Sequence, residues 1–144
     1  MKRSALIVLT IVTVLLAASC SSSSGEITID DPWGRATPEA APASAFYLTI
    51  EGGDTADRLV SAESAACGTI ELHETIITDG VMKMQHLPNG IEIPAGGEAA
   101  LEPGGLHVMC IGKLDDFTVG NTIALTLVFE TAESQTVDAE IREG

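Results

Sequence analysis

Cations, aromatics and long apolar runs are all scarce in this chain. Seven Lys and Arg stand against 21 Asp and Glu, a formal net charge of −14 over 144 residues. So few positive charges exclude a nucleic-acid-binding protein, whose affinity comes from neutralising phosphates. The acidic balance suits a soluble extracellular domain and raises the local concentration of cations. One Trp, one Tyr and three Phe leave the core to be built mainly from aliphatic side chains. No apolar stretch reaches the roughly 20 residues of a permanent membrane span. There is no long amphipathic helical pattern and no internal repeat. Signatures of catalysis are missing as well. The position four after His73 is Ile77, so His73-Glu74 does not open a zinc-protease motif. Gly96-Gly97 and Gly104-Gly105 precede no helix, so they are turn glycines and not a phosphate loop. No Ser-His-Asp or Cys-His arrangement stands out, and no enzyme activity is expected.

The N-terminus has the form of a targeting segment. Lys2 and Arg3 precede an apolar run from Ala5 to Ala18, the length of a signal-peptide core. The run ends in Leu16-Ala17-Ala18-Ser19-Cys20, which resembles the lipobox of bacterial lipoproteins, although Leu16 lies one place further from the cysteine than usual. That resemblance implies removal of residues 1–19 and lipid on the Cys20 sulfur. Residues 20–25, the cysteine with Ser21 to Ser24 and Gly25, read as a flexible tether. Residues 26–144 then form one domain on the outer face of a membrane. With Cys20 acylated, Cys67 and Cys110 remain. An even pair in an oxidising compartment is a candidate disulfide, the alternative being two buried thiols.

The domain reads as all-β. Short apolar and β-branched runs recur between Gly, Pro and Asp, with the first expected at Glu26 to Ile29 and the last at Thr136 to Ile141. Their spacing suggests a sandwich or barrel. In Thr122 to Glu130 the odd positions are large and apolar, and so face the core. In Thr69 to His73, Ile70 and Leu72 share one face while Glu71 and His73 share the other. Thr78-Asp79-Gly80-Val81 fits a two-residue hairpin turn. The lone Trp33 is expected in the core.

Histidine and methionine are few and gathered together. His73, His86 and His107, with Met82, Met84 and Met109, all fall within 37 of the 125 residues from Cys20 onward. Random scatter would seldom gather them this closely, which singles the region out as a candidate site. Imidazole with thioether is a soft-leaning donor set that favours copper(I) over zinc, magnesium or calcium. His107 and Met109 are two apart, so in a strand they share a face. With Asp79 and Gly80 as the loop, His73 faces His86 and Thr75 faces Met84, which makes Met84 a diagonal neighbour of His73. The bland readings are that a methionine fills core space and that a surface histidine is merely solvated. For His86 they stand beside a role in binding copper(II) or passing an ion on.

Several segments in order resemble the periplasmic copper chaperones called PCu(A)C: "LHE" at Leu72 to Glu74, "GVMKM" at Gly80 to Met84, "IEIPAGG" at Ile91 to Gly97 and "PGGLHVM" at Pro103 to Met109. "DPWGRATP" at Asp31 to Pro38 and "ALTLVFE" near the end extend the resemblance over nearly the whole domain. Ten residues separate His73 from Met84, as in the family, and twenty-two separate Met84 from His107, one more than usual. The resemblance implies a cupredoxin-like Greek-key β-sandwich. It implies a copper(I) site formed by His73, Met84, His107 and Met109. It also implies delivery of copper to an accepting protein, such as a cytochrome c oxidase subunit at its binuclear copper centre, or another copper chaperone. A non-metal structural or interaction lipoprotein is the alternative. A blue-copper protein is disfavoured, because its site needs a cysteine thiolate and Cys110 points to the face opposite Met109.

Overall fold

The computed structural model describes residues 25–144. The expectations for residues 1–19, for Cys20 and for Ser21 to Ser24 lie outside the described residues.

Ten strands follow in order: β1 (Thr28–Arg35), β2 (Ala43–Glu51), β3 (Asp57–Glu63), β4 (Cys67–Thr78), β5 (Val81–His86), β6 (Ile91–Ile93), β7 (Glu98–Leu101), β8 (Leu106–Lys113), β9 (Thr122–Phe129) and β10 (Gln135–Arg142). No helix occurs among the described residues. The period-2 pattern is the cause. In β9, Ile123, Leu125, Leu127 and Phe129 are buried, while Thr122 before them and Ala124 between them are exposed. Asp79 and Gly80 take φ of 53° and 76°, the positive pair that a type I′ loop requires. Thr78 therefore pairs with Val81, and the register of the whole β4–β5 hairpin follows.

Hydrogen-bonded strands run in the order β5-β4-β8-β7-β2-β1-β10-β9-β3-β6, with β8 also pairing with β2. Leu72 and Val108 from one end of that order and Leu59, Ile91 and Ile93 from the other belong to one buried cluster. The ribbon of strands thus folds over on itself, and its two layers share a single core. Phe46, Ile50, Leu125 and Ile141 are fully buried within it.

The first strand departs from the expectation. The strand expected at Glu26 to Ile29 instead begins at Thr28 and continues through Asp30, Asp31 and Pro32 to Arg35. Its register against β2 shifts between Asp30 and Trp33, and Asp31 has a φ of 45°. Pro32 therefore sits in a bulge, one of the few places where a paired strand tolerates proline. Beyond the bulge, Trp33 to Arg35 pair in parallel with Glu140 to Arg142 of β10.

Cys67 opens β4 and Cys110 lies in β8. They are joined by a disulfide across 43 residues of chain, with Cα atoms 5.4 Å apart. Both cysteines are buried. Closing a loop of this length contributes up to about 4 kcal/mol in the chain-entropy model. Denatured, unreduced protein with Cys20 acylated should show no free thiol. The Cys67→Ala, Cys110→Ala double variant should lose about 2–4 kcal/mol in denaturant unfolding. Two titratable thiols per domain would contradict the bridge.

Candidate metal centre

β4 lies between β5 and β8 at one end of the strand order, and three histidines meet across them. His73 of β4 is directly opposite His86 of β5 and His107 of β8. The ring centroids are 5.6 Å apart for His73 and His86, and 5.8 Å for His73 and His107. Two residues along β4 in one direction, Thr75 faces Met84; two residues in the other, Glu71 faces Met109. Residues at this spacing share a face. Met84 and Met109 are therefore diagonal neighbours of His73, at a separation that long side chains can bridge. The hairpin register expected from the sequence is the one observed, and β8 supplies the neighbouring segment that the sequence alone did not place. Met82 shares the face but pairs with Ile77, nearer the hairpin tip and 65% exposed.

Burial is graded across this face. His107 is 2% exposed, Met109 is half-buried, and Met84 is 61% exposed on the outer strand. The hydrogen bonds of the two inner histidines fix their tautomers. The Nδ1–H of His107 donates to the carbonyl of Gly105 at 3.1 Å. The Nε2–H of His73 donates to the carboxylate of Glu71 at 2.7 Å. A carbonyl and a carboxylate can only accept, so the proton belongs on the imidazole nitrogen in each pair. The remaining nitrogens, His107 Nε2 and His73 Nδ1, are buried without a protein partner. Each then carries a free lone pair, in the second-sphere arrangement usual for metal-binding imidazoles.

The electrostatics favour a neutral ring at His107. Burial holds the His107 pKa below its ordinary value of 6.5, with smaller contributions from His73 and Arg35, against the opposing hydrogen bond to Gly105. The hydrogen bond from His73 holds the Glu71 carboxyl below its usual range. Among the described residues no group of three or more His, Cys, Asp or Glu is arranged to hold a metal ion. A metal site on this face must therefore draw on the methionines. The residues placed to do so are His73, His107, Met109 and Met84.

Other residues near the face carried little signal in the sequence. Tyr47 lies 6.3 Å from the His107 ring, and Trp33 stacks on Tyr47 at 4.6 Å. The Arg35 guanidinium sits 5.6 Å from the Tyr47 ring centroid. Burial raises the Tyr47 pKa, outweighing Arg35. Trp33 is only half-buried and belongs to this outer aromatic wall instead of the core. The bulge in β1 sets it opposite Tyr47, which puts both on the histidine face. Gly105 orients His107 through its carbonyl, which also accepts from the Thr75 N–H at 3.0 Å. Glu71 could have been found from its two-residue spacing to His73. Nothing local marks Tyr47 or the Gly105 carbonyl.

The family model described as "Putative lipoprotein LpqE-like" matches residues 27–141. The chain belongs to the LpqE-like family. "Putative lipoprotein Lxx21020" of Leifsonia xyli subsp. xyli is 30% identical over 117 residues, covering 81% of this chain and 70% of that protein. The copper-bound PCuAC domain from PmoF2 is 28% identical with a TM-score of 0.69, covering 85% of this chain and 97% of that domain. The solution structure of CuI-DR1885 from Deinococcus radiodurans is 25% identical with a TM-score of 0.64, covering 89% and 84%. The fold of this LpqE-like protein is accordingly the cupredoxin-like Greek-key β-sandwich expected from its sequence.

The depressed His107 pKa has a sign that experiment can check. A histidine whose folded pKa lies below its unfolded value costs no stability at high pH. Stability falls as pH drops from about 6.5 toward the folded pKa, where the unfolded chain binds the extra proton. In a histidine NMR titration of the apo-protein, His107 should titrate below its ordinary value of 6.5. A midpoint at or above that value would contradict the desolvated, neutral ring.

Proposed function

We propose that this protein is an extracytoplasmic copper metallochaperone that holds one copper(I) on His73, Met84, His107 and Met109. The observation that carries the reading is the pair of buried imidazole nitrogens without partners, on strands whose register sets a methionine diagonal to His73 on each side. A buried lone pair left unmatched costs free energy, and a bound cation removes that cost. Two imidazoles and two thioethers make a soft, neutral set suited to copper(I). Lacking a thiolate, the set does not form disulfides in an oxidising space, although its sulfurs remain open to sulfoxide formation. Likeness to the copper-bound PCuAC domain from PmoF2 and to CuI-DR1885 supports copper as the cargo.

Localisation and delivery belong to the same reading. The lipoprotein names of the family and of the Leifsonia relative support an anchor at Cys20. A tethered domain on the outer face of the cell membrane can meet a membrane-bound acceptor. The resemblance to PCu(A)C proteins supports a copper-accepting partner such as the binuclear copper centre of cytochrome c oxidase, or a second copper chaperone. The exposed Met84 offers the acceptor a ligand to displace while His107 stays buried.

Anaerobic copper(I) titration of the detergent-solubilised chain should give one ion per chain, with X-ray absorption showing both nitrogen and sulfur donors. The Met84→Ile, Met109→Ile double variant keeps most of the volume and removes both sulfurs. It should fold normally and bind copper(I) at least about tenfold more weakly, since even outer-sphere changes at metal sites cost this much. Unchanged affinity in the folded double variant would refute the ligand set, and a parent that binds no copper(I) would favour a non-metal lipoprotein. Mass spectrometry of membrane-extracted protein should find a lipid on Cys20. A freely secreted form with an intact Cys20 thiol would rule out the anchor.

A further inference from the structure

The β4–β5 hairpin reaches past the strand that supports it. β8 begins at Leu106, opposite Glu74, so Thr75 to Thr78 and their partners Val81 to Met84 extend beyond its start. A backbone bond from the Thr75 N–H to the Gly105 carbonyl braces the root of this overhang. On the other side β5 ends the strand order. Near the tip Ile77, which is 73% exposed, pairs with the exposed Met82, and the exposed Val81 adjoins them. Residues 75–84 hold one Asp and one Lys, and so carry no net charge in a chain of −14. An apolar, uncharged projection on an acidic domain marks a contact surface.

Strand directions locate the tip. β2 runs from Ala43 down to Glu51, which pairs with Thr28 at the start of β1. β8 is antiparallel to β2, and β4 is antiparallel to β8, so β4 runs the same way as β2. From the level of His73, Thr78 lies about 17 Å along β4. From Tyr47, beside the His107 ring, Glu51 lies about 13 Å along β2. The hairpin tip and the start of β1 are therefore at the same end of the sandwich. Gly25 is held at that end, its carbonyl accepting from the Asp54 N–H. Cys20 precedes Gly25 by five residues, a reach of at most about 18 Å. The exposed Leu114 and Val119 lie at the opposite end, between β8 and β9.

We propose that the hairpin tip rests on the lipid surface that carries the Cys20 anchor, with Ile77, Val81 and Met82 among the headgroups and upper acyl chains. The inference rests on the lipid anchor of the proposed function and adds an orientation to it. A single covalent tether limits distance and sets no direction. The acidic surface opposes broad contact with anionic lipid. The neutral tip gives a local attachment free of that repulsion, and Lys83 can hold its ammonium among the headgroups. A second copy of the chain is a poorer occupant, because a stable dimer engages roughly 20–30 residues a side. With the tip on lipid, Met84 stands only about 7 Å along the strand from Met82, within reach of a membrane-bound acceptor.

The test is fluorescence quenching of the lipid-modified full chain in phosphatidylcholine vesicles that carry a spin label at a shallow acyl-chain position. One environment-sensitive fluorophore is attached at Thr78→Cys, on the tip, and in a separate protein at Asp115→Cys, at the opposite end. The Thr78 probe should be quenched and blue-shifted, and the Asp115 probe should be neither. Adding Ile77→Ser, Val81→Ser and Met82→Ser should abolish quenching at Thr78 while the protein still sediments with the vesicles. The comparison of the two probes leaves the apolar tip intact, so it decides even where the triple variant does not fold. Sedimentation with vesicles but equal quenching at the two positions would overturn the proposal, leave the anchor standing and assign the tip to a protein partner. Unchanged quenching in the folded triple variant would also overturn it. A chain with no lipid on Cys20 that stays off the vesicles would overturn the anchor and this orientation together.

Discussion

Everything at the candidate centre depends on the antiparallel register between β4 and β8. Cys67 opposite Lys113, Leu72 opposite Val108 and His73 opposite His107 are successive consequences of one alignment. Side chains alternate with a period of two, so a one-residue slip of β4 would turn Leu72 to solvent and His73 into the core. The slip is opposed on both faces. On the inner face Leu72, Val108 and Cys110 are all buried. At the far end the bond between Cys67 and Cys110 ties the two strands covalently. The same alignment sets Glu71 beside Met109 and brings the Gly105 carbonyl to both the Thr75 N–H and the His107 ring. Register, disulfide and imidazole orientation are thus one constraint seen at three places.

What could be read before the structure follows from how far each contact reaches along the chain. The β4–β5 hairpin was legible residue by residue, because Asp79-Gly80 fixes a two-residue loop and the loop fixes the pairing. Alternation in β9 likewise named its buried positions. The contact between β4 and β8 was not legible from local pattern. It joins segments more than thirty residues apart, and only the two-residue spacing of His107 and Met109 indicated that they share a face. Resemblance to a known family supplied the grouping that periodicity could not. The failures have a common source in β1. Proline and paired aspartates signal a strand end, but a bulge absorbed them and carried the strand on. That continuation moved Trp33 from an expected core position to the aromatic layer outside His107.

The gradient of burial across the face follows from strand position. β8 pairs with β4 on one side and with β2 and β7 on the other, so its side chains are covered from both directions. β5 ends the strand order, and every one of its residues is exposed. A donor set drawn from both strands therefore has a fixed half and an open half. The fixed half is expensive to leave without a ligand, because two imidazole nitrogens are out of reach of water and of protein donors. The open half is cheap, because an exposed thioether loses little by returning to solvent.

That asymmetry bears on how such a face could give up a bound ion. Release from a fully enclosed site requires the fold to open, and here the covalent tie between β4 and β8 resists opening. Exchange at the edge requires no such motion. Met84 and His86 sit on a hairpin with solvent on its free side, along with the exposed Ile77, Val81 and Met82. Under the proposed copper reading, an incoming donor would replace an outer donor first, while His73 and His107 keep their orientation through Glu71 and Gly105. The hydrogen bonds that hold the inner rings in a metal-binding tautomer do not involve the hairpin edge. Loss of the outer ligands therefore leaves the inner pair ready to accept an ion again. Rigidity on one side of the face and access on the other are both set by where β4 lies in the sheet.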